Sequence, residues 1–429
     1  MKKPNIAIIH YSSPPIIGGV ESVLEAQARL FVRNGYYVRI IVSKGKMVQP
    51  EIPVSVIPEM DSLYPLNQRI REELRKGQKG EFEKLRRKIK LKLIKELEDI
   101  NICIVHNLFT MPFNIALTAA LNDLVRECRA KRFISWCHDS PFFDPLYQSF
   151  LSSINPQEYP WNLLHKPLKD LLYVAISEQR RTQLAKLLKI KEEEIKVIPN
   201  GIDIKTFLNL NSETLDVFDK FSLSNPDLII FMPTRITPRK NIELAIRILS
   251  ALDQIEIDAK LVITGSPDLH RADGKVYWES LKEVSQELNV EGRVIFLCEI
   301  KDDQGRPIKI DLDFLRSLYL MSDMVLITSR QEGFGLPVLE AGLMKLPVFA
   351  SNISSLKEIG GKEVTYFDLE ESPLQIARRI EKFFQQHKGP HLLFKRMIRN
   401  YSGELIFKEK IEPLIQNLTA SIFLKYKNL

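Results

Sequence analysis

Short apolar runs recur along this chain with amphipathic stretches between them, and that alternation restricts the fold more than any other feature. Ile6–Ile9 ends at Tyr11-Ser12-Ser13-Pro14-Pro15, which reads as a strand followed by a turn. After Gly18-Gly19, the residues Val20, Leu24, Ala28 and Phe31 fall on one helical face until Gly35, and 37–42 is a second strand. Strand, helix, strand in that order calls for a parallel sheet, because parallel neighbours need a long crossover and helices supply it. Further strands are expected at 102–106, 132–138, 173–176 and 195–198, with Ser177 capping the helix after the third of these.

Pro199-Asn200-Gly201 is a turn signal, and a second series of the same kind follows it. Strands are expected at 228–232, 260–264, 293–297, 324–328 and 348–350, and Asn241 is placed to cap a helix carrying Leu244, Ile248 and Leu249. With 429 residues the chain exceeds what one hydrophobic core usually holds. The expected architecture is therefore α/β, with two Rossmann-like, doubly wound parallel-sheet domains facing across a cleft. We place an N-terminal domain at 1–198, a second at 199–400, and a helical segment at 401–429 that packs back on the first. In such sheets ligands sit at the carboxyl ends of the strands.

Apolar residues at 45% and charged residues at 27% describe an ordinary globular chain. Four scattered cysteines (Cys103, Cys128, Cys137, Cys298) form no C-x-x-C pair, which fits reduced thiols in the cytoplasm. Lys2-Lys3-Pro4 leads straight into the first strand, and no stretch reaches the roughly 20 apolar residues of a membrane span. The whole net charge of +7 lies between Arg69 and Glu96, where twelve Lys/Arg face five Asp/Glu. Phe82 is the one aromatic in that segment, whereas a single-stranded nucleic-acid groove interleaves basic residues with aromatics, so no nucleic acid is expected. The segment is either a charged helix coating one flank or a surface resting on anionic lipid headgroups.

Chemistry concentrates at Glu332-Gly333-Phe334-Gly335-Leu336-Pro337-Val338-Leu339-Glu340. A carboxylate precedes a glycine turn, a proline suits the first turn of a helix, and a second carboxylate follows one turn inside. The N–H groups of Phe334, Gly335 and Leu336 would face a ligand, backed by the positive end of the helix dipole. Gly18-Gly19-Val20-Glu21 lets a backbone approach closely at a helix start, without the G-x-G-x-x-G spacing of dinucleotide sites. Arg235 and Lys240 share one loop; a guanidinium fork and a mobile ammonium suit a diphosphate. His138 follows a strand and faces the cleft. Each of these alone also has a bland reading as a turn, a solvated loop or a structural histidine. Asp302-Asp303 and Asp311-x-Asp313 read as solvated acids, and no metal site is expected.

Together these segments resemble the family-4 retaining glycosyltransferases of the GT-B fold. The resemblance runs from Gly18-Gly19-Val20-Glu21 through 198–203 to 354–359, and its most specific part is 329–341, which matches the E-x7-E signature. It implies that Glu332 lies beside the donor sugar and that Glu340 accepts from the nucleotide's ribose. The amides of Phe334, Gly335 and Leu336 would hold sugar hydroxyls. Arg235 and Lys240, helped by the Gly18-Gly19 backbone, would grip the diphosphate, and His138 would touch the sugar. It implies no cofactor and no divalent metal, since Arg and Lys neutralise the leaving group. Mannose from GDP-mannose is preferred as donor, with UDP-glucose next. The acceptor would be a sugar, a small hydroxylated metabolite or a glycolipid, the last with peripheral contact to an anionic membrane through 69–96. Gly265-Ser266-Pro267-Asp268 departs from the family's Gly-x-Gly and leaves the base open. Two further readings share the fold, an epimerase or phosphorylase and a non-catalytic nucleotide-sugar binder.

Overall fold

The computed structural model describes residues 3–46, 49–128, 130–266, 272–302 and 304–426. They form two compact units, one made of the described residues of Met1–Asp203 with Asn400–Leu429, the other of Ile204–Arg399.

In the first unit the strands are β1 (Ile6–Ile9), β2 (Val38–Val42), β3 (Val54–Val56), β4 (Ile102–His106), β5 (Arg132–Cys137), β6 (Leu171–Ala175) and β7 (Ile195–Val197). They make one sheet of order β3-β2-β1-β4-β5-β6-β7, with every pair parallel. Strand periodicity explains the core: Ile6 and Ile8 join Leu24, Ala28 and Phe31 on one face, while Ala7 and Ile9 join Ile89 and Leu93 on the other. Both faces are covered, so the strands read as continuous apolar runs rather than alternating ones.

The second unit holds β8 (Leu228–Met232), β9 (Ala259–Ile263), β10 (Val294–Phe296), β11 (Met324–Ile327), β12 (Val348–Ser351) and β13 (Thr365–Phe367). Their order is β10-β9-β8-β11-β12-β13, again parallel. The expected pair of doubly wound, Rossmann-like parallel sheets therefore forms, one in each unit. The edge strands β3 and β13 have no counterpart in the sequence reading, being three residues long and mostly half-exposed.

Residues 199–203 belong to the first unit, so the boundary falls after Asp203 rather than after Ile198. Backbone bonds tie Ile202 to Tyr401 (2.9 Å) and Gly403 to Ile202 (2.8 Å), and Arg33 grips Asp203 at 2.9 Å. Phe407 meets Phe31 edge-on at 5.0 Å, and the Tyr36 hydroxyl donates to Glu412 at 2.8 Å, so the C-terminal helices lie against Gly19–Arg33.

The basic 69–96 segment forms the helices Leu66–Arg75 and Gly80–Glu96. Much of its charge is answered within the unit. Lys88 and Lys92 meet Glu59 at 2.9 and 2.7 Å, Arg86 meets Asp123 at 2.7 Å, and Lys90 meets Glu127 at 2.6 Å. Burial pushes the Glu59 carboxyl up, but the hydrogen bonds from Lys92 and Lys88 win and hold it at about 2. Among the described residues no helix is long and apolar enough to cross a membrane.

Candidate functional site

Parallel strands end along one edge of their sheet, so loops that follow neighbouring strands lie side by side. β8 and β11 are neighbours, which brings the loop of Arg235 and Lys240 against the loop of Glu332. The two are stitched together. Thr328 Oγ1 donates to the carbonyls of Lys240 (2.9 Å) and Asn241 (2.8 Å), and the Arg330 N–H donates to the Arg239 carbonyl (2.8 Å).

Lys240 Nζ reaches Glu332 Oε1 at 2.5 Å, and both side chains are nearly enclosed, 11% and 10% exposed. Ser329 Oγ donates to the same oxygen at 2.6 Å, and the Ser329 carbonyl is itself held by Ser351 Oγ at 2.6 Å. Oε1 is thus saturated, while Oε2 makes no hydrogen bond with a described residue and remains to accept from a ligand. Arg235 shares the loop but not the cluster: it is exposed, and its guanidinium makes no hydrogen bond or ion pair with described residues.

Gly335 sits at φ 106°, where a Cβ would also lie 2.8 Å from Leu356 Cδ2, so only glycine fits the turn. That turn launches the helix Leu336–Leu343, with Pro337 in its first turn. The N–H groups of Phe334, Gly335 and Leu336 donate no hydrogen bond among the described residues, and Phe334 and Leu336 present exposed side chains beside them. One turn into the helix, Glu340 Oε2 accepts from the Tyr319 hydroxyl at 2.5 Å. Burial first, then Glu340 itself, push that hydroxyl far above its usual range, so Tyr319 remains an O–H donor.

Asn241 stands at the start of the helix Ile242–Gln254 but does not cap it. Its backbone is left-handed (φ 52°), whereas a capping side chain needs an extended one. Its Oδ1 accepts from Arg330 instead, at 3.0 Å, and the Tyr277 hydroxyl receives the Ile242 N–H at 3.1 Å.

The sites expected in the first unit lie at its own carboxyl edge. β1, β4 and β5 are consecutive neighbours, so His10, His106 and His138, at or just past their ends, line up. His138 Nε2 lies 2.9 Å from His106 Nδ1, His106 Nε2 lies 3.2 Å from Gln27 Oε1, and His10 Nδ1 lies 3.0 Å from the His106 carbonyl. Asn107 Oδ1 accepts the N–H groups of His138 (2.7 Å) and Asp139 (3.1 Å). Burial, and then His10, hold His138 down at about 3, while burial followed by His138 and His10 keeps His106 well below its ordinary range. All three rings are enclosed and uncharged at neutral pH. Gly18 occupies the N-cap position of Gly19–Arg33, and Gly19 opens that helix with an N–H that no intrahelical carbonyl can take. Glu21, in the same turn, accepts from Ser12 Oγ at 2.6 Å and stands 3.8 Å from His10 Nε2.

The acids read as solvated have structural partners. Asp311 caps Leu312–Met321 by accepting from the Phe314 N–H at 3.0 Å, and Asp302 accepts from the Arg306 N–H and guanidinium. Asp303, Pro267 and Asp268 lie outside the described residues. Among the described residues no group of three His, Cys, Asp or Glu could hold a metal ion. The four cysteines are free thiols.

Sequence reasoning overlooked Ser329, Thr328, Tyr319, Gln27, His10 and His106. The histidines carried a signal, since each stands at the end of an expected strand.

Comparison with known proteins gives each unit a counterpart. The family described as Glycosyltransferase Family 4 matches residues 17–206, and Glycosyl transferases group 1 matches residues 215–400. An uncharacterized glycosyltransferase of Methanocaldococcus jannaschii is 29% identical over 193 residues, covering 44% of this chain and 45% of its own. The mannosylglucosylglycerate synthase of Petrotoga mobilis is 28% identical over 271 residues, covering 59% and 60%. The matches thus span about half the length of these curated relatives. Among solved structures, sucrose-phosphate synthase from Thermosynechococcus elongatus aligns over 98% of this chain and all of its own, at 16% identity and a TM-score of 0.42.

Proposed function

We propose that this chain, whose two units each match a glycosyltransferase family, moves a hexose from a nucleotide-diphosphate sugar to an acceptor hydroxyl with retention at the anomeric carbon. The observation that supports this reading most is the grouping, within one unit, of Lys240, Glu332, three free amides and Glu340 around the start of a single helix. Lys240 would swing from Glu332 to the diphosphate. The open Glu332 Oε2 and the amides of 334–336 would take sugar hydroxyls, Glu340 the ribose, and Arg235 a second grip on phosphate. At the carboxyl edge of the first unit, Gly18 and Gly19 would offer backbone donors to a phosphate, and His138 would touch a sugar hydroxyl.

In the step itself the bond from the anomeric carbon to the diphosphate oxygen breaks as the acceptor oxygen bonds to the same face. The acceptor's proton passes to the departing phosphate oxygen. No protein nucleophile is needed, so the paired carboxylates about 5–5.5 Å apart of retaining glycosidases are not required. The residues' work is to align both substrates and to stabilise charge growing on the phosphate. Arg and Lys would do this without a divalent metal.

GDP-mannose is the preferred donor and UDP-glucose the next, on the Glu332–Pro337 phrase and on the relative named a mannosylglucosylglycerate synthase. The same relative favours a small hydroxylated acceptor. The 69–96 segment adds to this in part, since Arg86, Lys88, Lys90 and Lys92 meet carboxylates of their own unit rather than standing free for lipid.

A hydrolysis and transfer screen over GDP-mannose, UDP-glucose and ADP-glucose, with and without chelator, tests the reading. Turnover that survives chelation and is lost in Glu332→Gln is expected, with product of unchanged anomeric configuration. Tight nucleotide binding without turnover of any donor would instead identify a binder.

A further inference from the structure

We infer that Gln27 and His106 fix the tautomer of His138, so that the nitrogen His138 offers to a ligand is the bare Nδ1, an acceptor for a hydroxyl proton. The inference deepens the proposed role of His138 beside the donor sugar and rests on it.

Gln27 Oε1 carries only lone pairs, so the His106 nitrogen facing it at 3.2 Å must be N–H. A neutral imidazole has a single N–H, and His106 is fully enclosed, with burial holding it neutral. His106 Nδ1 is therefore a lone pair. It faces His138 Nε2 at 2.9 Å, a contact that needs a proton from His138. His138 is neutral as well, so its Nδ1 has none left. That atom has no hydrogen-bond partner among the described residues, and His138 keeps 8% of its surface open. Asn107, which ties down the N–H groups of His138 and Asp139, holds the ring where this nitrogen is presented.

The ligand chemistry follows. A bare nitrogen accepts from a hydroxyl and repels a phosphate oxygen, whereas the other tautomer would do the reverse. His138 thus suits the sugar half of a nucleotide sugar and not its diphosphate. Gln27 and His106 are positioning residues that act through it.

The full chain labelled with ¹⁵N-histidine tests this without reference to activity. Long-range proton–nitrogen correlations at neutral pH should show His138 with a bare Nδ1 and a protonated Nε2. A protonated Nδ1 in the unsubstituted chain overturns the inference. Gln27→Met keeps the length and removes the acceptor, and should leave His106 and His138 as tautomer mixtures; an unchanged pattern also overturns it. In transfer assays Gln27→Met should lose about tenfold in kcat/KM for the sugar donor, the size of one hydrogen bond, with affinity for the free nucleoside diphosphate unchanged. An equal loss in both would mark a merely structural residue and overturn the positioning role. Should no donor be turned over by the unsubstituted chain, the functional reading fails while the nitrogen spectra still decide this one.

Discussion

Lys240 is expected to matter to the stability of its unit as well as to turnover, and the two effects can be separated. Its ammonium and the Glu332 carboxylate touch at 2.5 Å with side chains only 11% and 10% exposed. At that separation the bare attraction is about 7 kcal/mol for an effective dielectric near 20, most of it offset by what both ions lose in leaving water. Lys240→Met removes the cation and leaves the carboxylate with Ser329 as its remaining donor. Stranding one member of a fully buried pair costs about 3–5 kcal/mol. Because this pair keeps a tenth of its surface in solvent, we expect about 2–3 kcal/mol. For a unit of this size that corresponds to a fall of roughly 5–10 °C in its melting transition. Glu332→Gln should cost less, about 1–2 kcal/mol, since a lysine stem is long enough to carry its charge to water.

The double substitution decides the matter. Once both charges are gone no ion is stranded, so Lys240→Met with Glu332→Gln should lose only about 1–2 kcal/mol where the single losses sum to about 3–5, a coupling of about 2–3 kcal/mol. Scanning calorimetry of the four proteins supplies the cycle. A nucleoside diphosphate should raise the melting temperature of the unsubstituted chain and raise that of Lys240→Met by clearly less, if the lysine transfers from carboxylate to phosphate. Strictly additive losses in the double variant would refute the ion-pair argument. A full ligand shift in Lys240→Met would refute the transfer.

Three further outcomes are expected. Glu340→Ala should weaken nucleotide binding by roughly 1–3 kcal/mol, and Tyr319→Phe, which frees the carboxylate to rotate, by about 1 kcal/mol, both measured by isothermal titration. Gly265→Ala would set a Cβ 2.1 Å from the Thr234 carbonyl and 2.4 Å from Arg235 Cα. Because those are backbone atoms that cannot step aside, a loss of about 1–3 kcal/mol is expected in a denaturant titration, with a displaced Arg235 loop and weaker nucleotide binding. Acid should destabilise the first unit through its histidines. His138 is held at about 3, below its ordinary 6.5, so between those values the unfolded chain binds the extra proton and stability falls as pH falls. At pH 5 that one ring costs about 2 kcal/mol, and urea midpoints at pH 7 and pH 5 would reveal it. A His138→Gln variant should be less acid-sensitive, and an identical pH response in the two proteins would remove the histidine from the account.

The fold was legible because a parallel strand covered on both faces is an unbroken apolar run, and β1, β8 and β11 all are. The three-residue edge strands β3 and β13 carry no such run, and they were missed. Glu332, Gly335 and Glu340 were legible because their chemistry lies within one turn and one helix. What sequence does not display is adjacency between strands far apart in the chain. Lys240 meets Glu332 only because β8 pairs with β11, and the left-handed backbone of Asn241, whose side chain meets Arg330 across that pairing instead of capping its helix, is not announced by the local sequence. The same principle shows where a stricter reading had more to find. If polar residues at the carboxyl ends of buried parallel strands are candidates, then His10 after β1 and His106 at the end of β4 qualify on the terms that selected His138 after β5. Gln27 does not qualify on any sequence rule. It reaches His106 from the middle of a helix, and a buried glutamine at such a place is explained only by the polar atom it meets.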